Sequence, residues 1–348
     1  MKKDTGLNIY DLDLPALEAL LTGWGEPTYR AGQIWEWLYK RLANDFDQMS
    51  SLPKSLREQL TEHTRLVVPV VKARQESEDG ETRKDLLEMS DGELVEVVLM
   101  HYLKRESACI STQIGCPMGC VFCATGQSGF RRNLSAGEIV AQALHIARGL
   151  ELTGQRLSNL VLMGMGEPLL NYDATLAAVR CLSHPRGFRL GQRHITVSTV
   201  GIVPGILRLA EEGLQVNLAV SLHAATDPLR STLMPINRKH GLDALFKALA
   251  QYIERTNRQV TLEWVLIDGV NDTLEQAEAL AARVTGSLVH VNLIPLNPTA
   301  NYAGRPSAPE RITAFTEILE RRRIPFTARL RRGLDIQAGC GQLRRRQG

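Results

Sequence analysis

From residue 105 onward the chain repeats one unit: a short apolar run, a loop, then an amphipathic helix. Strand candidates fall at 108–113, 158–163, 194–199, 216–222, 259–267 and 289–294, with helix candidates between them at 135–150, 171–183, 203–213, 241–257 and 272–285. Strands that alternate with helices pair in parallel, because the helix carries the chain back to the same end of the sheet. The first helix has a clean start in Ser135 and Glu138, an S-x-x-E capping box. Six units are too few for an eightfold barrel, which takes about 250 residues for the barrel alone. The expected fold is therefore α/β, a curled and incomplete (β/α)6 barrel, with reactive groups at the C-terminal strand ends.

Residues 1–65 read as helical. Asp13 caps a first helix carrying Leu17, Leu20 and Leu21, and Gly23 and Gly25 punctuate its end. A second helix carries Ile34, Trp35, Trp37, Leu38 and Leu42 at helical spacing, which makes its aromatics core rather than a base-stacking platform. Residues 66–104 alternate in strand fashion, as in Leu94-Val95-Glu96-Val97-Val98-Leu99-Met100. The expected organisation is an N-terminal helical accessory domain (1–65), a β linker segment (66–104) and the barrel with a C-terminal segment (105–348). Apolar residues make up 44% of the 348, enough for a sizeable core. No apolar run approaches the roughly 18 to 20 residues that span a bilayer, and Met1-Lys2-Lys3-Asp4 leads into no hydrophobic signal segment. The expectation is a soluble, cytoplasmic protein, acting as a monomer.

Net charge is only +3, but its distribution is uneven. Between Arg321 and Gly348 stand nine arginines (321, 322, 323, 329, 331, 332, 344, 345 and 346) and one acid, Asp335. Such a cluster is either a solvated face or a set of phosphate contacts, and charge by itself favours the solvated face.

The cysteines are more decisive. Four of the six (Cys109, Cys116, Cys120, Cys123, Cys181, Cys340) fall within fifteen residues, in a chain too long to need disulfide staples. Cys116-Pro117-Met118-Gly119-Cys120-Val121-Phe122-Cys123 is C-x3-C-x2-C, directly after the first barrel strand. A structural zinc site wants four closed ligands. Free buried cysteines do not cluster in this way on a glycine-containing loop. Thiolates also hold iron–sulfur clusters, and a cube held by three cysteines leaves one iron open. After the second strand comes Met163-Gly164-Met165-Gly166-Glu167-Pro168, where glycines admit close backbone approach and the carboxylate can accept from an ammonium; an ordinary strand-to-helix turn reads the same way. Further polar groups end later strands: Ser198, Ser221 with Leu222 and His223, and Asn297.

The C-x3-C-x2-C loop in this position resembles the radical S-adenosylmethionine (SAM) superfamily. With Cys109 seven residues before the loop and Gly339-Cys340-Gly341-Gln342-Leu343 near the end, the chain resembles the RlmN-type adenine carbon-2 methyltransferases of ribosomal and transfer RNA, related to the Cfr-type carbon-8 enzymes. The resemblance spans nearly the whole chain, including Gln33-Ile34-Trp35, Gly129-Phe130, Arg132-Asn133-Leu134, the Gly166-Glu167 motif, Met234-Pro235-Ile236-Asn237 and Asn292-Leu293-Ile294-Pro295. Pro168 after Glu167 fits the RlmN side, where Cfr-type proteins tend to carry Ala; a Cfr-type carbon-8 enzyme is the alternative. The chain ends soon after Leu343, so a longer C-terminal extension seen in relatives is not expected here.

The resemblance implies a [4Fe-4S] cluster on Cys116, Cys120 and Cys123, with SAM held by Gly166, Glu167, Ser198, Ser221, Leu222, His223 and Asn297. Carbon 2 of adenine is electron-poor and cannot attack a sulfonium methyl, so a carbon radical must attack it. As the resemblance has it, one SAM methylates Cys340. A second SAM, cleaved at the reduced cluster, yields a radical that abstracts hydrogen from that methyl. The methylene then adds to the adenine, Glu96 removes the ring proton, and Cys109 attacks the Cys340 sulfur to release the product. A Cys109–Cys340 disulfide remains for a reductant to reopen. The implied partners are 23S rRNA, transfer RNA, and an electron donor such as flavodoxin or ferredoxin. Cys181, in a helix pattern beside Leu182, reads as core.

Overall fold

The computed structural model describes residues 6–329, 333 and 335–343. Three helices come first: α1 (Leu14–Gly23), α2 (Tyr29–Tyr39) and α3 (Lys54–His63). Asp13 is the N-cap of α1, its carboxylate accepting from the Ala16 N–H at 2.8 Å. The α2 aromatics are core as the spacing predicts: Trp35 and Tyr39 are buried, with ring centroids 4.4 Å apart, and the part-buried Trp37 packs against the same core.

Ten strands make one sheet. β1 (Val70–Glu76), β2 (Thr82–Glu88), β3 (Leu94–Tyr102) and β4 (Arg105–Cys109) follow one another antiparallel. Beyond β4 the sheet continues through β5 (Leu157–Leu162), β6 (Ile195–Thr199), β7 (Asn217–Ser221), β8 (Val260–Leu266), β9 (Val289–Pro295) and β10 (Phe326–Ala328), every pairing parallel. All six expected barrel strands are present, and the sheet is open, with β1 and β10 as its two ends. Two features differ from the sequence expectation. A seventh parallel strand, β10, has only three residues, none of them fully buried, so it leaves no apolar signal. The first barrel strand runs Arg105–Cys109 rather than 108–113: its polar first residues pair with the equally polar end of β3, Tyr102 opposite Arg105, while Gln113–Gly115 pairs with Phe130–Asn133 in a small separate sheet. Residues 66–104 do carry strands, and these extend the main sheet directly rather than standing apart from it.

Helices alternate with the parallel strands: α4 (Ala136–Glu151), α5 (Tyr172–Ser183), α6 (Val203–Glu211), α7 (Leu242–Thr256), α8 (Leu274–Val284) and α9 (Pro309–Arg321). The capping box on α4 is closed from both sides: Ser135 Oγ accepts from the Glu138 N–H at 3.2 Å, and the Glu138 carboxylate accepts from the Ser135 N–H at 2.9 Å. Covered strands need no polar face, and β7 and β8 bury Leu218, Ala219, Val220, Leu262 and Trp264 completely. The N-terminal helices join this body at α4. Arg148 donates to the Leu42 carbonyl at 2.8 Å and to the Tyr10 hydroxyl at 2.9 Å, and the Gly137 N–H at the start of α4 donates to Asp11. A Cβ on Gly137 would come within 2.2 Å of the Asn8 amide, so only glycine admits this approach. One apolar core runs through both parts.

Candidate active site

The C-terminal ends of the parallel strands surround a cavity of about 160 Å³. Its position follows from the architecture: side chains just past the ends of parallel strands escape the covering helices and point into one crevice.

Cys116, Cys120 and Cys123 share one part of the wall. Their loop is tied at several points. The Cys116 N–H donates to the Gly129 carbonyl at 3.0 Å, and the Val121 N–H to the Leu233 carbonyl at 3.1 Å. Gly115 makes the entry turn with φ 75°, where a Cβ would collide with the Gly129 carbonyl at 1.9 Å. Burial pushes the Cys116 thiol up to about 12 and Cys120 well above the ordinary thiol range, each raised further by neighbouring cysteines. These thiols stay neutral unless a metal displaces their protons. Among the described residues no three His, Cys, Asp or Glu side chains gather closely enough to hold a single metal ion. A three-thiol loop on one cavity wall fits an iron–sulfur cube, in which each cysteine binds a different iron.

Next to the thiols stand Gly164, Gly166 and Glu167. Gly166 has φ 106°, and a Cβ would lie 2.6 Å from the Gln113 side chain, so the close approach requires glycine. Glu167 is 1% exposed. Its two oxygens accept from the Leu169 N–H at 3.0 Å and the Val200 N–H at 2.7 Å, while its own N–H donates to Gln113 at 2.8 Å. Burial outweighs those hydrogen bonds and raises its carboxyl to about 7. A cationic ligand would restore the ionised form.

Ser198, Ser221, His223 and Asn297 also line the cavity. His223 is buried, with φ 57°, and its Nδ1 accepts from the Val265 N–H at 2.9 Å. The proton of the ring therefore sits on Nε2. Burial and nearby Arg230 lower its pKa to about 3, so it remains a neutral donor. Its ring meets Phe122 of the cysteine loop edge-on, centroids 4.9 Å apart. Asn297 donates to the Cys340 carbonyl at 3.0 Å, and its own Oδ1 is buried without a partner, an acceptor suited to a ligand N–H or O–H. Leu222 is buried and does not line the cavity; it contributes backbone, its N–H donating to the Glu263 carbonyl at 3.0 Å.

Cys340 reaches the same cavity from the far end of the chain. Its loop is held by the cysteine loop itself: the Ala124 N–H donates to the Gly341 carbonyl at 2.8 Å, and the Thr125 hydroxyl to the Leu343 carbonyl. Cys109, at the end of β4, is half-buried and lies outside the cavity lining. Burial raises its thiol to about 12, and Cys340 is close enough to add to the rise. Cys340 is exposed to solvent, yet the protein packed around its sulfur raises the thiol, against the opposing pull of Arg329. Glu96 is buried on β3, not in the cavity wall; its carboxylate lies 3.4 Å from the Lys84 ammonium. Cys181 is a buried residue of α5.

Two lining residues carry no sequence signal of their own. Glu263, in the middle of β8, accepts from Asn292 at 3.0 Å and stands 3.7 Å from Arg329. Arg329 belongs to the C-terminal arginine cluster, yet it lies at the cavity. Burial works against its charge, but Glu263 and the two thiols, Cys340 and Cys109, outweigh that and raise its pKa. Of the other arginines, 321 and 322 pair with Glu278 on the surface, and 331, 332 and 344–346 lie outside the described residues.

Comparison with known proteins agrees with this geometry. Residues 110–281 match the radical SAM superfamily, and residues 7–66 match the N-terminal domain of ribosomal RNA large subunit methyltransferases. The chain is 51% identical over 344 residues to the dual-specificity RNA methyltransferase RlmN 1 of Myxococcus xanthus, covering 99% of this chain and 96% of that one. It is 47% identical to the probable dual-specificity RNA methyltransferase RlmN of Geobacillus kaustophilus, covering 98% and 93%. The crystal structure of a radical SAM methyltransferase from Sphaerobacter thermophilus superimposes with a TM-score of 0.95 at 50% identity, covering 97% of this chain and 99% of that one.

Proposed function

We propose a role for each cavity residue from one premise: the chain belongs to the RlmN family and is a radical SAM RNA methyltransferase that uses a [4Fe-4S] cluster and SAM. The proposed reaction is methylation of carbon 2 of an adenosine in 23S rRNA and in transfer RNA. The observation that carries it is the presence of Cys340 in the same cavity as the three-cysteine loop and Glu167, with Cys109 close behind. A protein-borne methyl accounts for that second pair of thiols.

Cys116, Cys120 and Cys123 hold the cluster, which supplies, with SAM, the one-electron chemistry that makes a carbon radical. Glu167 accepts from the ammonium of SAM, and Gly166 lets the backbone approach it. Ser198, Ser221, His223 and Asn297 offer hydroxyl, imidazole N–H and amide groups to the rest of that ligand, with Leu222 presenting backbone. The Cys340 thiolate, which Arg329 stabilises by its charge, attacks the methyl carbon of SAM: a new S–C bond forms, and the methyl's bond to the sulfonium sulfur breaks with its electron pair leaving on S-adenosylhomocysteine. The methylated sulfur then carries the carbon that bonds to the adenine. Glu96 receives the ring proton, and the adduct gives up its unpaired electron to the electron carrier, leaving a closed-shell thioether. Cys109 attacks the Cys340 sulfur as a thiolate: an S–S bond forms, the bond from sulfur to the transferred carbon breaks, and its electron pair stays with carbon, which takes a proton to become the methyl group. An electron carrier of the flavodoxin or ferredoxin class would supply the electron for SAM cleavage and take back the one the adduct releases, and a thiol reductant would reopen the disulfide.

The helices of residues 1–65 are proposed as an RNA-contacting accessory domain, the 66–104 strands as the link, and 105–348 as the catalytic barrel. A working monomer is proposed. Among the described residues no helix is long and apolar enough to cross a membrane; a cytoplasmic site of action is proposed with the RNA substrate.

The test is nucleoside mass spectrometry on large-subunit ribosomal RNA treated with the anaerobically loaded enzyme, SAM and reductant, beside a Cys340→Ala variant. Adenosine methylated at carbon 2, absent with the variant, is the expected result. Methylation at carbon 8 would overturn the assignment of position. Carbon-2 product from Cys340→Ala would overturn the role of the thiol.

A further inference from the structure

Two buried charges lie off the cavity wall. Lys84 on β2 and Glu96 on β3 are 3% and 1% exposed, with the ammonium 3.4 Å from the carboxylate. In the β2–β3 register Leu86 faces Glu96 and Lys84 faces Val98, so the two charged side chains are diagonal neighbours on one face. Taking both charges out of water is costly, and apolar side chains of similar size usually serve a fold as well or better. Stability alone explains the pair poorly.

The second contact of Lys84 explains it better. Its Nζ donates to the Gln337 carbonyl at 3.0 Å, across 253 residues of chain. Gln337 precedes Cys340 by three residues and has φ 52°, a left-handed conformation that a non-glycine residue keeps only where its surroundings impose it. The same turn rests on the β1–β2 hairpin at two more points. The Asp335 carboxylate accepts from the Glu78 N–H at 2.9 Å, and Gly333 fits so closely against Thr82 that a Cβ would come within 2.9 Å of its methyl. Lys84 is thus the buried point at which the hairpin, the Cys340 segment and Glu96 meet.

We propose that Lys84 is a positioning residue that registers the Cys340 segment to Glu96, so that the carboxylate meets the adenine only when the methyl carrier is seated. This deepens the proposed function and rests on its reading of Glu96 as the proton acceptor. Lys84 makes and breaks no covalent bond. Its ammonium faces the Glu96 carboxylate on one side and donates to the Gln337 carbonyl on the other. Methyl acceptance by Cys340 needs the thiol, the charge of Arg329 beside it and SAM, but not Glu96. Release of the RNA from Cys340 needs Glu96 in register as well, so loss of Lys84 should separate the two steps.

The experiment compares Lys84→Met, Lys84→Arg and Glu96→Gln as loaded enzymes in single turnover. Methyl on Cys340 is read by peptide mass spectrometry, which also reports a correctly assembled site. The lifetime of the protein–RNA adduct is read on denaturing gels. Glu96→Gln should methylate Cys340 normally and release RNA on the order of 10²- to 10⁴-fold more slowly, the usual worth of a catalytic base. Lys84→Met should also methylate Cys340 normally and release RNA about tenfold or more slowly, and Lys84→Arg, which keeps the charge and the donors, should recover most of that loss. Lys84→Met slowing both steps alike, or neither, overturns the proposal, as does a Lys84→Arg enzyme no faster than Lys84→Met. Release at the wild-type rate from Glu96→Gln overturns the base assignment itself, and the role of Lys84 with it.

Discussion

The two ends of the sheet are built on opposite rules. From β4 to β10 the strands are parallel and their interiors largely apolar, with polar groups mostly displaced to the C-terminal ends, where the cavity opens. From β1 to β4 they are antiparallel, and charges sit within the strands: Lys84 and Asp85 on β2, Glu96 on β3, all almost fully buried. The parallel part can keep its strands apolar because ligands bind beyond them. The antiparallel part must hold other pieces of the chain, and directional polar contacts do that. Lys84 holds the Cys340 segment. Asp85 holds His145 of α4 at 2.8 Å and Arg74 of β1 at 2.7 Å. One half of the sheet makes the reactive site, and the other seats what is delivered to it.

That contrast can be broken most severely at the cavity. Cys120→Ala should eliminate both iron retention and SAM cleavage in the reconstituted protein, read by iron analysis and by 5′-deoxyadenosine formation; retained SAM cleavage would remove this thiol from the cluster. Next in size, Glu167→Gln should weaken SAM binding by about 10- to 100-fold, the worth of a charge-assisted contact of ~1.5–3 kcal/mol, measured by equilibrium dialysis. Unchanged affinity would place the SAM ammonium elsewhere. Arg329→Gln should slow methylation of Cys340 by about tenfold at neutral pH, because the thiol loses the cation that offsets the protein packed around its sulfur. Peptide mass spectrometry over time checks this, and a variant that methylates at the wild-type rate would limit Arg329 to a structural part.

The smallest expected effect lies in the antiparallel end, and it is on stability rather than chemistry. Burial raises the Asp85 carboxyl, but His145, Arg74 and Arg83 outweigh it and hold the pKa at about 2, below the ordinary 3.8. A carboxylate with a depressed folded-state pKa stabilises the fold above its ordinary pKa, and that contribution is lost as pH falls through 3.8 toward 2. Asp85→Asn should lower the melting temperature by a few degrees at neutral pH and flatten the acid limb of the stability curve over that window. Calorimetry across pH tests it, and an unchanged acid limb would show that the network adds nothing net.

Legibility divides along similar lines. The cysteine loop and the Gly166-Glu167 turn are short stretches in which the chemistry and the backbone demand sit within a few residues, and the structure finds both on the cavity wall. Ser198, Ser221, His223 and Asn297 were legible through topology, since each ends a parallel strand. Arg329 was not: as one arginine of nine it reads as surface charge, and only the pairing of β10 with β9, followed by the Arg329 N–H donating to Leu293 at 2.8 Å, turns it toward Glu263 and the thiols. Glu263 looks like any strand glutamate until β7 and β9 flank it, setting Ser221 on one side and Asn292 on the other.

By itself the sequence determined the alternation of strands and helices, the thiol loop, the glycine approach to Glu167 and the two outlying cysteines, because each is a local pattern with a local physical cause. Only the tertiary structure decided that Cys340 returns across more than two hundred residues to the first strands, that Lys84 and Glu96 lie buried beside its segment, and that one arginine of the terminal cluster enters the site. Those placements depend on strand register and long-range hydrogen bonds, which no periodicity along the chain encodes.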